Sequence, residues 1–256
     1  MMNITAILPA RMDSSRFPGK PMKKIHDMPM IGHCLFRSKL SNKLSGSYVA
    51  TCDYEIFDYI KSIGGNPIMT SNSHKRASDR TAEAMLAIEK DTGKTIDIVV
   101  MIQGDEPMVT PTMIDKSLEP FIDQEVNVVN LMADIVSTEE FEDPNEVKVV
   151  VDNNSNAIYF SREPIPSRKK DVINVPMLKQ VCVIPFRRDY LIRFNSLEET
   201  PLEQIESVDM MRIIENGEKI RMVKIDDITF SVDTPEDLEK VQIAMEDDSL
   251  IQTYST

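Results

Sequence analysis

The residues best suited to chemistry in this chain come directly after its first apolar run. Residues 9–21 read PARMDSSRFPGKP and carry Arg11, Arg16, Gly19 and Lys20. Guanidinium groups, an ammonium group and backbone N–H groups left open at a glycine are suited to binding phosphate. The segment therefore predicts an anion site, although a solvated basic loop would have a similar composition. It contains no Gly-x-x-x-x-Gly-Lys-Ser/Thr pattern, which sets aside P-loop kinases and GTPases.

The cations of the chain are unevenly distributed. Its 256 residues carry a net charge of −13, yet the first 24 residues combine several cations with a single carboxylate, Asp13. These cations are Arg11, Arg16, Lys20, Lys23 and Lys24. The overall charge repels polyanions, so we expect neither nucleic acid nor a membrane as a partner. An anionic substrate must therefore be held locally.

The elements that must position these residues follow from the apolar pattern. Runs that alternate between strand-like and helix-like periods predict an α/β domain. The pattern predicts strands over 4–8, 48–51, 96–102, 126–132, 147–151, 180–186 and 220–223. It predicts helices over 29–40, 54–63, 79–90, 201–214 and 235–244, and a turn at 153–156. Loops beyond the carboxyl ends of parallel strands form the ligand crevice, so the segments from Pro9 and from Gln103 onward should line one site.

No linker or internal repeat marks a domain boundary. We expect a single domain over residues 1–248, with an irregular excursion around 161–179 and a C-terminal tail over 249–256. No stretch approaches the roughly 18 apolar residues of a membrane helix, and the amino terminus lacks a signal-peptide layout, which favours a cytoplasmic location. Cys34, Cys52 and Cys182 are widely spaced and are expected to be reduced thiols rather than a disulfide framework, a zinc site or a catalytic nucleophile.

Two acidic sequences each have a structural interpretation. Asp105 lies in QGDEP, residues 103–107, where it could belong to a turn after a strand. The sequence TPED at 234–237 has the features of a helix start, with Thr234 as the cap, a proline in the first turn and acids behind it. Asp233 precedes that cap and is not needed by it.

Several motifs together resemble the sugar cytidylyltransferases, and in particular the 3-deoxy-manno-octulosonate (Kdo) cytidylyltransferase, or CMP-Kdo synthetase, family. The first is residues 9–21, which match the nucleotide-binding signature of these enzymes. The others are spread over nearly the whole chain, at 69–71 with His74, 79–80, 103–107, 159–162 with 164–166, 201–206 and 232–238. The resemblance implies a Rossmann-like nucleotide-diphospho-sugar transferase (GT-A-like) fold, with a mixed, mostly parallel central sheet flanked by helices.

The resemblance also implies a site and a reaction. CMP would pass from CTP to the anomeric hydroxyl of a 3-deoxy-2-keto sugar acid with release of pyrophosphate, in a homodimer that serves lipopolysaccharide synthesis. Asp105 and Asp233 would bind one or two Mg²⁺ ions, and with Arg11 and Lys20 they would form the catalytic set. The nucleotide-binding residues would be Pro9, Ala10, Arg11, Arg16, Lys20, Ser78, Arg80 and Gln103. The sugar-binding residues would be Gln103, Arg162, Gln180, Glu206 and Asp209.

Departures from the family pattern concern mainly the sugar. Ala77 replaces a glycine before the acid and arginine at 79–80, which looks tolerable. Gln180 stands where a histidine is usual, and Met210 where a glutamine is usual, although Met210 and Met211 could equally be core residues. The sugar acid could therefore be Kdo, an 8-amino or otherwise modified octulosonate, or another nonulosonate. Nucleotidyl transfer to a different sugar and a non-catalytic nucleotide-binding protein are the alternatives.

Overall fold

The computed structural model describes residues 2–14, 16–168 and 175–254. In this part of the chain the strands are β1 (Ile4–Pro9), β2 (Lys24–Ile25), β3 (Met28–Pro29), β4 (Gly46–Thr51), β5 (Pro67–Met69), β6 (Ile98–Ile102), β7 (Val129–Asp134), β8 (Lys148–Val151), β9 (Ala157–Ser161), β10 (Leu178–Val181), β11 (Val183–Arg187) and β12 (Arg221–Lys224). The α-helices are α1 (Met30–Lys39), α2 (Tyr54–Ser62), α3 (Ala77–Thr92), α4 (Pro111–Leu118), α5 (Thr138–Glu142), α6 (Arg188–Ser196), α7 (Pro201–Glu206), α8 (Met211–Glu215) and α9 (Pro235–Ala244). Short 3-10 helices cover Lys20–Met22, Glu119–Ile122 and Ile251–Thr253.

The first sheet is the mostly parallel sheet that the family resemblance implies. Its strand order is β11-β6-β1-β4-β5, and only β11 runs antiparallel to its neighbour. Every residue of β1 and β6 is buried, because α1 packs on one face of the sheet and α3 on the other. Alternate residues of β1 reach these two layers: Leu8 packs with the cluster that includes α1, and Ile7 with the cluster that includes α3. The mixed α/β fold is therefore confirmed.

The second sheet is largely antiparallel, with the order β12-β7-β10-β8-β9. The predicted strand over 180–186 is wrong, because these residues belong to two strands in two different sheets: β10 pairs with β7, and β11 pairs with β6. Cys182 lies at the bend between them. Its N–H donates to Glu106 Oε1 at 2.9 Å and its carbonyl accepts from the Gln103 N–H at 3.0 Å. The loop after β6 thus holds the chain where it changes sheets.

The predicted helix over 201–214 is also wrong, because it is two short helices. Ser207 has a φ of 52° and ends α7, and α8 begins at Met211. A buried ion pair joins the two pieces: Arg212 Nε and Nη2 donate to the two carboxylate oxygens of Glu203 at 2.7 and 2.6 Å. The Glu203 side chain is fully buried. This pair fixes the loop over 207–210, which reaches the functional site described below.

Three loops are packed against one another at the carboxyl end of the first sheet. The Gly104 N–H donates to the Pro9 carbonyl at 3.3 Å, and a Cβ at Gly104 would lie 3.1 Å from that oxygen. The Val232 N–H donates to the Asp105 carbonyl at 3.0 Å. The segments after β1, after β6 and before α9 therefore have a fixed spacing.

A small hydrophobic cluster lies behind these loops. It joins the segment that follows β1 to α9 and consists of Phe17, Ile25, Met30, Val232, Val241 and Met245. The cap of α9 is the one predicted from sequence, since Thr234 Oγ1 accepts from the Asp237 N–H at 3.2 Å. Asp237 Oδ2 in turn accepts from the Asp233 N–H at 3.2 Å, so the cap also holds the backbone of Asp233.

The segment between β9 and β10 and the carboxyl-terminal segment complete the fold. Between β9 and β10, residues 162–168 and 175–177 belong to no helix or strand, and residues 169–174 of the predicted excursion lie outside the described residues. The segment predicted as a C-terminal tail packs on α1, where Tyr254 Oη contacts Arg37 Nε at 3.0 Å and His33 Nδ1 at 2.9 Å. None of the described helices has the length and apolarity that a membrane span requires.

The Glu203–Arg212 pair provides a test of the α7–α8 packing. We expect Glu203→Gln to lower the free energy of unfolding by about 3 kcal/mol, because it leaves the charge of buried Arg212 without its partner. Asp134→Asn is the matched control: it removes a similar carboxylate from an exposed pair with Lys224 at 2.8 Å and should cost less than about 1 kcal/mol. Urea unfolding of both variants measures the difference. Equal losses would show that the buried pair does not hold the two helices together.

Candidate functional site

A cleft of about 370 Å³ opens where the loops after β1 and β6 meet. Most of the residues that the sequence predicts for the site line it. They are Pro9, Ala10, Arg11, Arg16, Lys20, Arg80, Gln103, Asp105, Arg162, Gln180, Asp209 and Asp233. The expectation that the segments from Pro9 and from Gln103 onward share one site therefore agrees with the geometry. Gln180 from the second sheet and residues 207–209 also line the cleft.

Lys20 lies between the two predicted metal-binding aspartates. Its Nζ is 2.8 Å from Asp105 Oδ2 and 3.0 Å from Asp233 Oδ1, and it also donates to the Val232 carbonyl at 2.7 Å. Burial lowers the pKa of Lys20, but the charges of the two carboxylates and their hydrogen bonds outweigh that effect, so the pKa lies above the usual lysine value. The ammonium group therefore stays charged and holds the two carboxylates together.

A second cation reaches the same carboxylate from the rim of the cleft. Arg16 Nη2 is 2.9 Å from Asp233 Oδ1, and its Nη1 donates to Asn145 Oδ1 at 2.7 Å. Arg16 is half-exposed, whereas the side chain of Asp233 is 16% exposed. Asp233 Oδ1 thus accepts from two cations on the loop that follows β1, and Arg16 links that loop to the second sheet region.

The cleft holds more positive charge than the loop after β1 supplies. Arg80 on α3 is 3% exposed and donates to Thr70 Oγ1 at 2.5 Å and to the Ser71 carbonyl at 3.3 Å. Within the described ranges no carboxylate forms an ion pair with Arg80. Glu83 is near enough to interact electrostatically with Arg80 without pairing with it, so the guanidinium can still take a direct anionic ligand.

Sequence reasoning missed some of these positive groups. Lys75 and Arg76 line the cleft next to His74, immediately before α3. His74 lies in one of the matched motifs, but a lone histidine is a weak signal, and its Nε2 is bonded to the carboxylate of Glu83. Arg76 is 3.7 Å from both Glu199 and Glu203. For Lys75 and Arg76 the only signal in the sequence was their position in a loop that leads into a predicted helix. That position does not distinguish them from other surface cations.

Two of the predicted site residues do not line the cleft and instead support residues that do. Ser78 Oγ donates to Asp209 Oδ2 at 3.0 Å, and burial raises the pKa of Asp209. Glu206 accepts from the Arg162 N–H at 2.9 Å through Oε2, and its main-chain carbonyl accepts from Arg162 Nε at 2.8 Å. The structure thus places Ser78 and Glu206 one layer behind Asp209 and Arg162.

The two departures that concern the sugar have different positions. Gln180 lines the cleft and is half-buried. Met210 is fully buried in the cluster that also contains Met211, and it does not line the cleft. The expectation that Met210 and Met211 could be core residues agrees with the structure. The exchange at Met210 therefore bears on packing behind the site, and the exchange at Gln180 bears on the cleft itself.

Glu106 is a buried acid in the cleft wall that sequence reasoning did not select. It is 2% exposed, and burial together with the neighbouring charge of Asp105 raises its pKa to about 8. Its Oε1 accepts from the Cys182 N–H, and Oε2 has no hydrogen-bond partner among the described residues. The sequence QGDEP at 103–107 was the available signal, but a role was assigned only to Asp105 and Gln103 in it.

The donor set fits a magnesium ion that is completed by a ligand. Asp105 and Asp233 bring two carboxylates within reach of one ammonium group. In the described part of the chain no group of three or more His, Cys, Asp or Glu side chains could hold a metal. Mg²⁺ commonly takes one or two protein carboxylates and fills its remaining positions with phosphate oxygens and water. Two carboxylates beside a row of cations therefore suit a metal-bound polyphosphate.

Comparisons with known proteins show relatives in both sequence and fold. The sequence profile of the family described as cytidylyltransferase matches residues 5–220. A 3-deoxy-manno-octulosonate cytidylyltransferase of Geobacter metallireducens is 39% identical over 251 residues, which cover 94% of this chain and 96% of that protein. A solved structure of CMP:2-keto-3-deoxy-manno-octonic acid synthetase in complex with CTP superposes with a TM-score of 0.85 at 36% identity, covering 95% of this chain and 98% of that one.

A more distant solved structure shows how far the fold extends. The 4-diphosphocytidyl-2C-methyl-D-erythritol synthase of Anaerococcus prevotii superposes with a TM-score of 0.64 at 12% identity and covers 96% of both chains, so it shares the fold alone. The profile match and the 39% identity over nearly the full chain go further than the fold and confirm the resemblance carried by the motifs. The chain belongs to the cytidylyltransferase family, on its 3-deoxy-manno-octulosonate branch.

Proposed function

We propose that this protein transfers CMP from CTP to Kdo and releases pyrophosphate. The observation that carries the proposal is the meeting of Lys20 with Asp105 and Asp233 at the centre of a cleft lined by further cations. Two carboxylates for a metal, with guanidinium and ammonium groups around them, meet the needs of a nucleoside triphosphate. The choice of CTP and Kdo as substrates comes from the relatives, which are named for the Kdo reaction and one of which was solved in complex with CTP.

In the proposed reaction the anomeric C2 hydroxyl oxygen of the sugar acid attacks the α-phosphorus of CTP in line with the leaving group. A new P–O bond to the sugar forms, the bond to the β-phosphate oxygen breaks, and the hydroxyl proton passes to solvent. Such a transfer requires little covalent participation by the protein, so positioning and charge neutralisation should supply most of the rate.

The residues of the cleft divide this work. Lys20 and Arg11 would neutralise the charge that develops on departing pyrophosphate, and Arg16 would hold the outer phosphates from the rim. Asp105 and Asp233 would bind the metal, which supplies Lewis-acid neutralisation of the phosphate oxygens when bound. Arg80 has no carboxylate partner among the described residues and is suited to an anionic group of either substrate.

The contacts of Lys20 suggest that it neutralises the two carboxylates in the empty site and a phosphate group in the loaded one. Without a nucleotide, the ammonium group neutralises the two carboxylates, which would otherwise repel each other in a partly buried site. With a metal held by Asp105 and Asp233, the ammonium group of Lys20 would be available to a phosphate oxygen. The lysine therefore keeps the metal site assembled while no nucleotide is bound.

Other parts of the expectation from the resemblance remain predictions. These are the homodimer, the cytoplasmic location, the number of magnesium ions and the supply of lipopolysaccharide synthesis.

The activity is tested by mixing the purified protein with CTP, Mg²⁺ and Kdo and measuring pyrophosphate release. We expect release with CTP but not with ATP, GTP or UTP, and removal of divalent metal with EDTA should stop it. Asp105→Ala and Asp233→Ala should each lower kcat roughly 10² to 10³-fold, because each removes a charge-bearing ligand that the reaction requires. Asp27→Ala, at an exposed position outside the cleft, is the control and should retain wild-type activity.

Two results would contradict this proposal. No pyrophosphate release with CTP and any 2-keto-3-deoxy sugar acid would remove the activity. Near wild-type turnover in both aspartate variants would remove the metal role from those residues. Circular dichroism of each variant separates a loss of function from a loss of fold.

Lys20 gives a second test with a matched control. Lys20→Met leaves two carboxylates without their shared cation, so we expect a loss of about 1–3 kcal/mol in the free energy of unfolding and a kcat lower by roughly 10²-fold. Lys24→Met makes the same chemical change at an exposed residue that forms no ion pair within the described ranges, and should change stability by less than about 0.5 kcal/mol. Urea unfolding and pyrophosphate release measure the two effects. Equal behaviour of the two variants would show that the contact of Lys20 with the aspartates has no consequence.

A further inference from the structure

Gln180 is held by a buried partner that decides which end of its amide is free. Gln180 lies on β10 opposite Met132 on β7, so its side chain is a diagonal neighbour of Asn130 on the same face of the sheet. Gln180 Nε2 donates to Asn130 Oδ1 at 2.6 Å. Asn130 is completely buried, whereas Gln180 is half-buried and lines the cleft. The pair therefore connects the interior of the second sheet to the substrate site.

The orientation of the Asn130 amide is determined by its other contacts. Asn130 Nδ2 donates to the Leu131 carbonyl at 2.9 Å and to the Val181 carbonyl at 2.7 Å. Both of its N–H groups are therefore used, and a flipped amide would place Oδ1 against two carbonyl oxygens. Only one orientation satisfies the buried groups, so Oδ1 must face Gln180 as an acceptor.

This fixed acceptor determines the orientation of Gln180 in turn. Gln180 has to present its amide nitrogen to Asn130 Oδ1, since the reverse orientation would bring two acceptor oxygens together. Its backbone is held as well, with the Gln180 N–H donating to the Val147 carbonyl at 2.8 Å. Gln180 Oε1 is at the other end of the amide and has no hydrogen-bond partner among the described residues. The side chain thus offers an acceptor to the cleft and cannot turn round to suit the ligand.

We propose that Asn130 is a positioning residue that locks the Gln180 amide, so that Gln180 Oε1 accepts a hydrogen bond from a hydroxyl or amine group of the sugar acid. An unlocked glutamine could rotate and serve a donor or an acceptor equally well. The locked one selects a substrate that carries a proton at the contacted position. This inference rests on the proposed function, because it concerns the selection of the sugar acid in that reaction.

The selection should be measurable. Reversing the Gln180 amide loses the contact with Asn130 and sets two oxygens against each other, and a substrate without a donor leaves Oε1 without a partner. A buried polar group left unpaired in this way corresponds to roughly 10- to 100-fold in kcat/KM.

The experiment compares sugar acids in which one hydroxyl at a time is replaced by fluorine or by an amine. Fluorine keeps the size but cannot donate, whereas the amine donates. We expect wild-type protein to prefer the amine over fluorine at one position by roughly 10- to 100-fold in kcat/KM. Gln180→Met should lose that preference at the same position and keep the wild-type pattern at every other hydroxyl, which a general structural defect would not do.

The role of Asn130 is tested with the same compounds. Asn130→Leu removes the lock and should abolish the preference at the position that Gln180→Met identifies. If that variant does not fold, Asn130→Ala replaces it: it removes the same amide without adding bulk, so it too should lose the preference. A purely structural Asn130 would lower kcat/KM for all the compounds by the same factor.

Three outcomes would overturn the inference. The first is a preference pattern that does not depend on Gln180. The second is a preference for fluorine over the amine at the Gln180-dependent position. The third is a wild-type pattern in folded Asn130→Leu or in folded Asn130→Ala. Absence of pyrophosphate release with unmodified Kdo and CTP would instead mean failure of the proposed function, so the two failures are distinguishable.

Discussion

The contact of one ammonium group with two carboxylates is the interaction on which the site depends. Lys20 is separated from Asp105 by 85 residues and from Asp233 by 213 residues, yet its Nζ is within 3.0 Å of both. Two partly buried carboxylates repel each other, and the lysine offsets that repulsion through one oxygen of each. The site is therefore assembled before any nucleotide arrives. Binding then does not have to offset the conformational entropy lost in ordering these side chains.

The fold supplies this contact through three loops with fixed spacing. The loops that follow β1 and β6 emerge at the same edge of a parallel sheet and touch at Gly104, where a side chain would meet the Pro9 carbonyl. The third loop is tied to the second through the Val232 N–H and to the helix cap through Asp237. Because the hydrophobic cluster behind them contains Phe17 and Val232, movement of one loop would disturb the others. The separate elements of the sequence thus produce one rigid arrangement of charge.

Local patterns in the sequence were enough to predict β1, β4 and β6, because buried parallel strands are continuous apolar runs, and to predict the start of α9 from its explicit cap. They missed β5 and merged β10 with β11. They failed where tertiary contacts decide the backbone. The bend at Cys182 depends on its contacts with Glu106 and Gln103. The break at Ser207 is accompanied by the buried Glu203–Arg212 pair. Hydrophobic periodicity within one segment contains no information about such contacts. The helix α4 was missed although Thr110 and Pro111 mark its start. Motif matching found Gln180 as a departure, but its locked orientation depends on Asn130, which lies 50 residues away in the chain.

The central claim is that the two aspartates and the cations of the loop after β1 converge on one metal-bound triphosphate. A crystal structure of the protein soaked with CTP and Mn²⁺, with the metal located by its anomalous scattering, tests it most directly. The account predicts a metal peak bound by carboxylate oxygens of both Asp105 and Asp233, with the triphosphate beside it and Lys20 Nζ on a phosphate oxygen. A metal peak that touches neither aspartate, or a triphosphate bound away from Lys20, would contradict it.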